Sequence, residues 1–380
     1  MNLSRYLARG AVAASLLVAS LSVSSSLAQA PSLPDNVRTA ADAGPHRQQI
    51  TDFVAAQVAR LNSGQPADIA AAREALVNAV SGQPSISFNE LYADAVNTAL
   101  TPLAKSPDVA LRLNLAIASA RIAERTGSVR VAPLIKALLA DESAGVALWA
   151  MKASRPLVLK LLADPILATN SLAQPIVASA KKHLSSGPVA AEAYAALTSG
   201  LLDRTARASY SSAQLQRLVP AIVDAVQEIA LARVKLYEQG VPPDPSIDGP
   251  RAMLFMLDTQ NWALKSDAQK ARTAELLLWI GQLAAQRQAQ DVPNRNELVE
   301  VVRFQGRSLV QLADFVSSAA LRSAADDMSR VTPFTGAAQV LATTTDIAEA
   351  LKSVPLFKSV PVPPTVSAGP TTSSAPATGG

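Results

Sequence analysis

The chain has 380 residues, of which 17% are charged, 4% are aromatic and none is cysteine. Without cysteine there is neither a disulfide nor a lipid-modifiable N-terminal thiol, so packing alone must stabilise the fold. A formal net charge of +4 gives too weak a field to recruit a polyanion, and nucleic acid is excluded as a partner.

The first segment, MNLSRYLARG, carries Arg5 and Arg9, and AVAASLLVASLSVSSSLAQA then runs without charge into a zone of small residues. This is the layout of a secretory signal peptide. Ala28 and Ala30 both fit the small-x-small rule, but cleavage after Ala30 would set Pro31 against the scissile bond, so residues 1–28 are the expected leader. The apolar stretch is broken by serines and ends short of the roughly 20 apolar residues a bilayer span needs, so no integral span is expected once the leader is removed. Its loss takes away Arg5 and Arg9 and no acid, which lowers the net charge from +4 to +2. The expected location is therefore export, to the periplasm or beyond. Residues 29–46, rich in Pro and Gly, read as an extended linker.

From Arg47 onward apolar residues recur at helical rather than alternating spacing, which predicts an all-α chain. Ser87 to Glu90, Ser211 to Gln214 and Ser266 to Gln269 have the capping-box form. Pro107 and Pro188 stand at first helical positions, where a missing N–H costs nothing, and Gly127 and Gly240 where a left-handed stop is expected.

Residues 47–205 read as a repeat-like array. PDVALRLNLAIASARIAERTG is one helix, SVRVAPLIKALLAD a second, and ESAGVALWAMKAS a third that aligns with the first, Val109 opposite Val146; LLAD recurs at 138–141 and 161–164. The acidic turn, the Leu111-Arg112 pair and the Pro133 to Leu139 second helix resemble HEAT-type helical repeats over about residues 106–203, although the repeat length of about 40 to 47 residues is not kept. The resemblance implies an α-solenoid of stacked antiparallel helix pairs with an extended binding face.

Asp141 and Glu142 interrupt an otherwise apolar run. As structure, Asp141 closes one helix and Glu142-Ser143 opens the next, with the carboxylates near its positive end. As chemistry, Glu142-Ser143 resembles the lytic transglycosylases, which implies Glu142 as general acid on an envelope glycan. The downstream glycine and apolar-Met-Gln segment of those enzymes is missing, so the corner reading is preferred.

No other catalytic set is present. His46 lies in the linker and His183 follows Lys181 and Lys182 at a helix end; neither has ligand-spaced carboxylates or a nucleophile elbow beside it, so no metal, cofactor or catalytic residue is expected. Asp244 and Asp248 in VPPDPSIDGP suit turns rather than a calcium loop. Arg112, Arg121, Arg125, Arg130 and Lys136 are the candidate partner-binding face, with Asp108 and Glu124 able to pair with parts of it.

Residues 206–352 read as a helical bundle. Leu215, Leu218, Val219, Ile222, Val223, Val226 and Ile229 keep helical spacing, and Pro220 is expected to bend that helix. After RAMLFMLD, the run Leu276 to Ile280 predicts a central helix covered on all sides, and helices from Asn296 to about Lys352 complete the bundle. Trp149, Trp262 and Trp279 are read as core anchors. Residues 353–380, rich in Pro, Thr, Ser and Ala, read as a disordered tail, and PFTGA at 333–337 does not match a sorting signal. The expected role is that of an exported non-enzymatic scaffold binding another protein of the bacterial cell envelope, in an unknown oligomeric state; the alternative is the glycan-acting enzyme.

Overall fold

The structure, a computed structural model, describes residues 32–168, 171–241, 243, 244, 247, 255–290, 295–361 and 363. The expected leader, Asp248 and most of the C-terminal tail lie outside the described residues. Every described regular element is helical, in agreement with the predicted class, and there is no strand among the described residues.

The first half is a two-layer stack of helix pairs. α2 (Arg47–Leu61) packs on α3 (Pro66–Asn78), α4 (Ile86–Leu100) on α5 (Val109–Thr126), α6 (Ala132–Leu139) on α7 (Ala144–Ser154), and α9 (Ala173–Lys182) on α10 (Gly187–Leu202). Like members also touch across pairs. α3, α5, α7 and α10 follow one another in one layer, and α2, α4, α6 and α9 in the other. The short α8 (Val158–Ala163) bridges α7 to α9. Small residues make this close stacking possible. α5 buries Ala116, Ala118, Ser119, Ala120 and Ala123 beside Leu111, Leu115 and Ile122, and α10 buries Ala190, Ala193, Ala195 and Ala196. Methyl-sized side chains at the contacts let helix axes approach towards the lower end of the usual range of about 8–10 Å.

The helix ends follow local chemistry, with some departures from the predicted caps. Ser211 and Ser266 form reciprocal capping boxes with Gln214 and Gln269, and Gly127 and Gly240 have positive φ. At α4, however, the cap is Ser85, whose hydroxyl accepts from the Phe88 N–H at 3.1 Å. Ser87 is drawn away because its hydroxyl accepts from the Ala43 N–H at 3.0 Å. Asp108, not Pro107, precedes α5 and caps the Ala110 N–H at 2.8 Å, and Pro188 is the second residue of α10. Val109 and Val146 are not equivalent either: Val109 is half exposed at the first position of α5, whereas Val146 is buried in α7.

Residues 33–46 are a packed element rather than an extended linker. α1 (Asp35–Arg38) and a 3₁₀ turn at Gly44–His46 bury Val37 and Ala43. Arg38 donates to the carbonyls of Ala79 (2.9 Å) and Ser81, and the Ser85 N–H donates to the Arg38 carbonyl at 2.8 Å. The α3–α4 connection has backbone groups without helical partners, and this segment supplies them.

In the second half, α11 (Arg204–Ala208) leads into α12 (Ser212–Glu238), which continues through Pro220. α12 lies against α8, α9 and α10 on one side and α14 (Asp267–Gln290) on the other, so the apolar core is continuous across residues 205 and 206. α13 (Thr259–Ala263) precedes α14, which packs on α15 (Arg295–Phe315) and α17 (Ala337–Ser353), with α16 (Ala319–Ser329) between those two. Leu276, Leu277, Leu278 and Ile280 are buried as expected of a central helix. Trp279 is not fully covered; its Nε1–H faces the Pro361 carbonyl at 3.4 Å. The start of the expected disordered tail is also ordered. A 3₁₀ turn at Pro355–Phe357 rests on α14 and buries Val354, Phe357 and Val360, apolar residues three apart that the Pro-rich composition masked.

Gly306 of α15 sets the tightest contact of this half. A Cβ there would stand 2.5 Å from the Ser329 backbone nitrogen and 2.7 Å from the Met328 carbonyl carbon. In Gly306→Ala the gain of roughly 1 kcal/mol in helix propensity is outweighed, because overpacking costs about 1–3 kcal/mol even where flexible side chains give way and here backbone must move. The urea midpoint of Gly306→Ala is expected to fall clearly, and that of Gly281→Ala less, since Gly281 faces chiefly the flexible end of Met328.

Candidate functional site

The Asp141-Glu142 corner lies between α6 and α7, and its two carboxylates have opposite fates. The Asp141 side chain is only 3% exposed and that of Arg112, at the start of α5, is 13% exposed. Arg112 grips it through two bonds, Nε to Oδ2 at 2.6 Å and Nη2 to Oδ1 at 3.2 Å, and also donates to the Ser106 carbonyl. The Ser143 N–H donates to Asp141 Oδ1 at 2.7 Å, which starts α7, and His183 Nε2 meets the Asp141 carbonyl at 3.0 Å. Burial pushes the Asp141 carboxyl up, but the Arg112 hydrogen bond, the Ser143 N–H and the charges of Arg112 and Lys182 outweigh it and hold it below the usual carboxylate range. The hydrogen bond to Asp141 likewise holds the Arg112 guanidinium above its usual value. Glu142, by contrast, has its side chain 86% exposed and paired with Lys182, which also donates to the Ala140 carbonyl at 3.0 Å. An open carboxylate on a corner is without the enclosing walls that a glycosidic general acid needs.

The structure does not gather the five candidate basic residues onto one face. Arg112 is removed by its buried pair with Asp141. Arg130 and Lys136 line a cleft with Glu90, Asp94 and Leu167, where Arg130 stands 3.6 Å from Glu90. Arg121 and Arg125 lie on the α3–α5–α7–α10 layer. Arg121 pairs with Glu124 at 3.1 Å, and Arg125 reaches the Val77 carbonyl and the Ser81 hydroxyl, both at 2.6 Å. Asp108, expected as a partner for this set, instead caps α5.

These last two belong to a trough across the layer. One part, of about 770 Å³, is lined by Arg73, Glu74, Val77, Ile117 and Arg125, and the next, of about 460 Å³, by Lys152, Arg155, Pro156, Ser199 and Gly200. Arg121, Glu124 and Trp149 line both parts, so the two adjoin. Trp149 is a half-buried wall rather than a core anchor, with Lys152 Nζ 4.3 Å and the Arg121 guanidinium 5.9 Å from its ring centroid. Arg155 pairs with the buried Glu192 beneath it. Sequence reasoning missed Arg73, Trp149, Lys152 and Arg155. The helical wheel carried part of the signal: Arg121 and Arg125 are one turn apart on α5, whereas Arg112 sits roughly half a turn round from Arg121.

A second perturbed group is Lys265, which is 5% exposed. Its ammonium donates to the Met256 carbonyl and to Thr273 Oγ1 at 3.2 Å, and stands 4.9 Å from the Trp262 ring centroid. Burial, aided by the charge of Lys270 and opposed by Asp258, brings its pKa down to about 7. Among the described residues no group of three or more His, Asp or Glu is placed to hold a metal ion. Among the described residues no helix is long and apolar enough to cross a membrane. No family model matches the sequence, and no curated protein matches it.

Two pH effects follow. Asp141 has a depressed folded pKa, so its contribution is present above the unfolded value of about 3.9 and is lost as pH falls through the folded one. Asp141→Asn is expected to lower stability by about 3–5 kcal/mol at pH 7, and the gap to the parent, measured by urea unfolding, is expected to close towards pH 2. Lys265 has a lowered pKa, so the unfolded chain binds the extra proton between about pH 7 and the free-lysine value near 10.4, and stability rises across that window. Lys265→Met is expected to flatten that rise in the same assay.

Proposed function

We propose that the chain is an exported, non-enzymatic helical scaffold of the bacterial cell envelope whose helix-pair stack, read as a HEAT-like solenoid, holds another protein. The observation that carries this reading is the trough, in two adjoining parts, across α3, α5, α7 and α10. Stacked helix pairs present such a surface because each pair repeats the same exposed helix edge beside the last, and solenoids use it for extended contacts. The signal-peptide layout of residues 1–28 supports export. The glycan-acting alternative rests on Glu142, and the exposed position of that side chain, salt-bridged to Lys182, gives it no support.

A photo-crosslinking amino acid placed at Ile117 or Ser199, both in the trough, tests the proposal in the native envelope. Both positions are expected to trap the same protein, while Gln48 on the outer side of α2 traps none. Absence of crosslinks from the trough, or equal crosslinking from Gln48, would overturn the reading. Glu142→Gln is expected to leave peptidoglycan turnover unchanged; loss of turnover would restore the enzyme reading.

A further inference from the structure

The charge of the trough is distinct from that of the chain. Its lining side chains include five cations, Arg73, Arg121, Arg125, Lys152 and Arg155, against two carboxylates, Glu74 and Glu124. With Glu192, which pairs with Arg155 beneath the rim, the excess is two, as large as the +2 left to the whole chain once residues 1–28 are discounted. The carboxylates that do pair here hold Arg73, Arg121 and Arg155, the last through Glu192. Arg125 instead donates to a carbonyl and a hydroxyl, and Lys152 rests on the Trp149 ring; neither has a carboxylate within ion-pair distance among the described residues. A cation over an aromatic face keeps its full charge and is held in place to meet an anion.

The shape selects the occupant further. The trough runs across four successive helices, and with axes about 8–10 Å apart it spans on the order of 25–30 Å. An extended strand rising about 3.3 Å per residue covers that length in roughly eight residues, whereas a helix lying there would need about twice as many. Val77, Ile117, Ala120 and Pro156 give apolar footing between the charges. Glu74 and Glu124 can accept from the N–H groups that a peptide backbone supplies along its whole length, whereas a phosphate polymer has no such donor; a glycan does have donors in its hydroxyls, so a carbohydrate polyanion is the comparison the test must include.

Resting on the scaffold reading above, we infer that the trough binds an extended, acidic segment of a partner protein, about eight residues long, with Asp or Glu side chains set against Arg125, Lys152 and Arg121 and small apolar side chains between them. Ion pairs at such a semi-enclosed surface govern selectivity and weaken with salt.

Fluorescence anisotropy with the full-length protein tests this. The probes are a labelled ten-residue peptide alternating Glu with Val or Leu, the same peptide with Lys for Glu, and an alginate oligosaccharide as a carbohydrate polyanion. The acidic peptide is expected to bind at least about tenfold more tightly than either other probe, and to weaken as NaCl is raised. Arg121→Glu with Lys152→Glu is expected to abolish that binding, and Lys152→Met, which leaves an apolar stem on Trp149, to weaken it about tenfold. Lys136→Glu, in the separate cleft beside Glu90, is expected to leave it unchanged. Circular dichroism of each variant verifies the fold. Alginate binding as tightly as the peptide, or binding that survives both trough variants, would overturn the inference. If the acidic peptide does not bind while Ile117 and Ser199 still trap a partner in the envelope, the choice of occupant is wrong and the scaffold reading stands; if those crosslinks are absent too, both fall.

Discussion

The first half of this molecule depends on the buried pair between Arg112 and Asp141. Each end of the pair belongs to a different helix pair of the stack: Arg112 opens α5, and Asp141 forms the corner between α6 and α7. A third helix pair joins at the same point, because Lys182 and His183 at the end of α9 reach the carbonyls of Ala140 and Asp141. Three successive pairs are thereby fixed in register by one short segment. Desolvating two charges is costly, and an ion pair offsets that only when the remaining donors and acceptors are also satisfied. Here the Ser106 carbonyl and the Ser143 N–H do this. The gain is geometric more than energetic. Apolar side chains alone would let neighbouring pairs slide, whereas a two-pronged bond from guanidinium to carboxylate allows one arrangement.

With register fixed, the trough follows from stacking. α3, α5, α7 and α10 lie in one layer, so exposed residues of α5 and α7 fall side by side and their charges accumulate along a line. The carboxylates nearby neutralise some of these cations and leave others, and Glu192 shows the difference in role. Buried under Arg155, it fixes that guanidinium at the rim, whereas Glu124, exposed on the surface, is placed to meet solvent or a bound chain. Trp149 contributes a rigid wall, held between two cations.

Much of this was legible in the amino-acid order. Helical class followed from periodicity, and reciprocal caps at Ser211 and Ser266 and the glycine at 127 were read correctly because each depends only on residues a few positions apart. What failed were features set by distant neighbours. Ser87 looked like a cap until Ala43, from a segment read as linker, took its hydroxyl. Val37 and Phe357 were hidden in stretches whose composition suggested no core, although single apolar side chains suffice to dock a turn when a groove already exists. The candidate basic face mixes residues from opposite sides of α5, and Lys152, in the otherwise apolar α7, and Arg155, just after its end, carry no charge pattern that marks them. Asp141 and Glu142 could be told apart only by knowing that Arg112 lies above one of them and water above the other.

The termini of the stack carry one more implication. Modular helix arrays tend to grow: an uncovered terminal unit offers the same surface that its internal neighbours use, and another copy can settle on it. Here α2 turns Arg47, Gln48, Gln49, Thr51 and Asp52 outward, a hydrophilic facing that gives an incoming apolar stripe nothing to bury. At the opposite side α12 lies over α9 and α10, tied to α9 by Lys181 and Glu228 at 2.9 Å. The polar outer side of α2 and the cover of α12 thus give each end of the described stack a surface unlike the apolar contacts between its internal pairs.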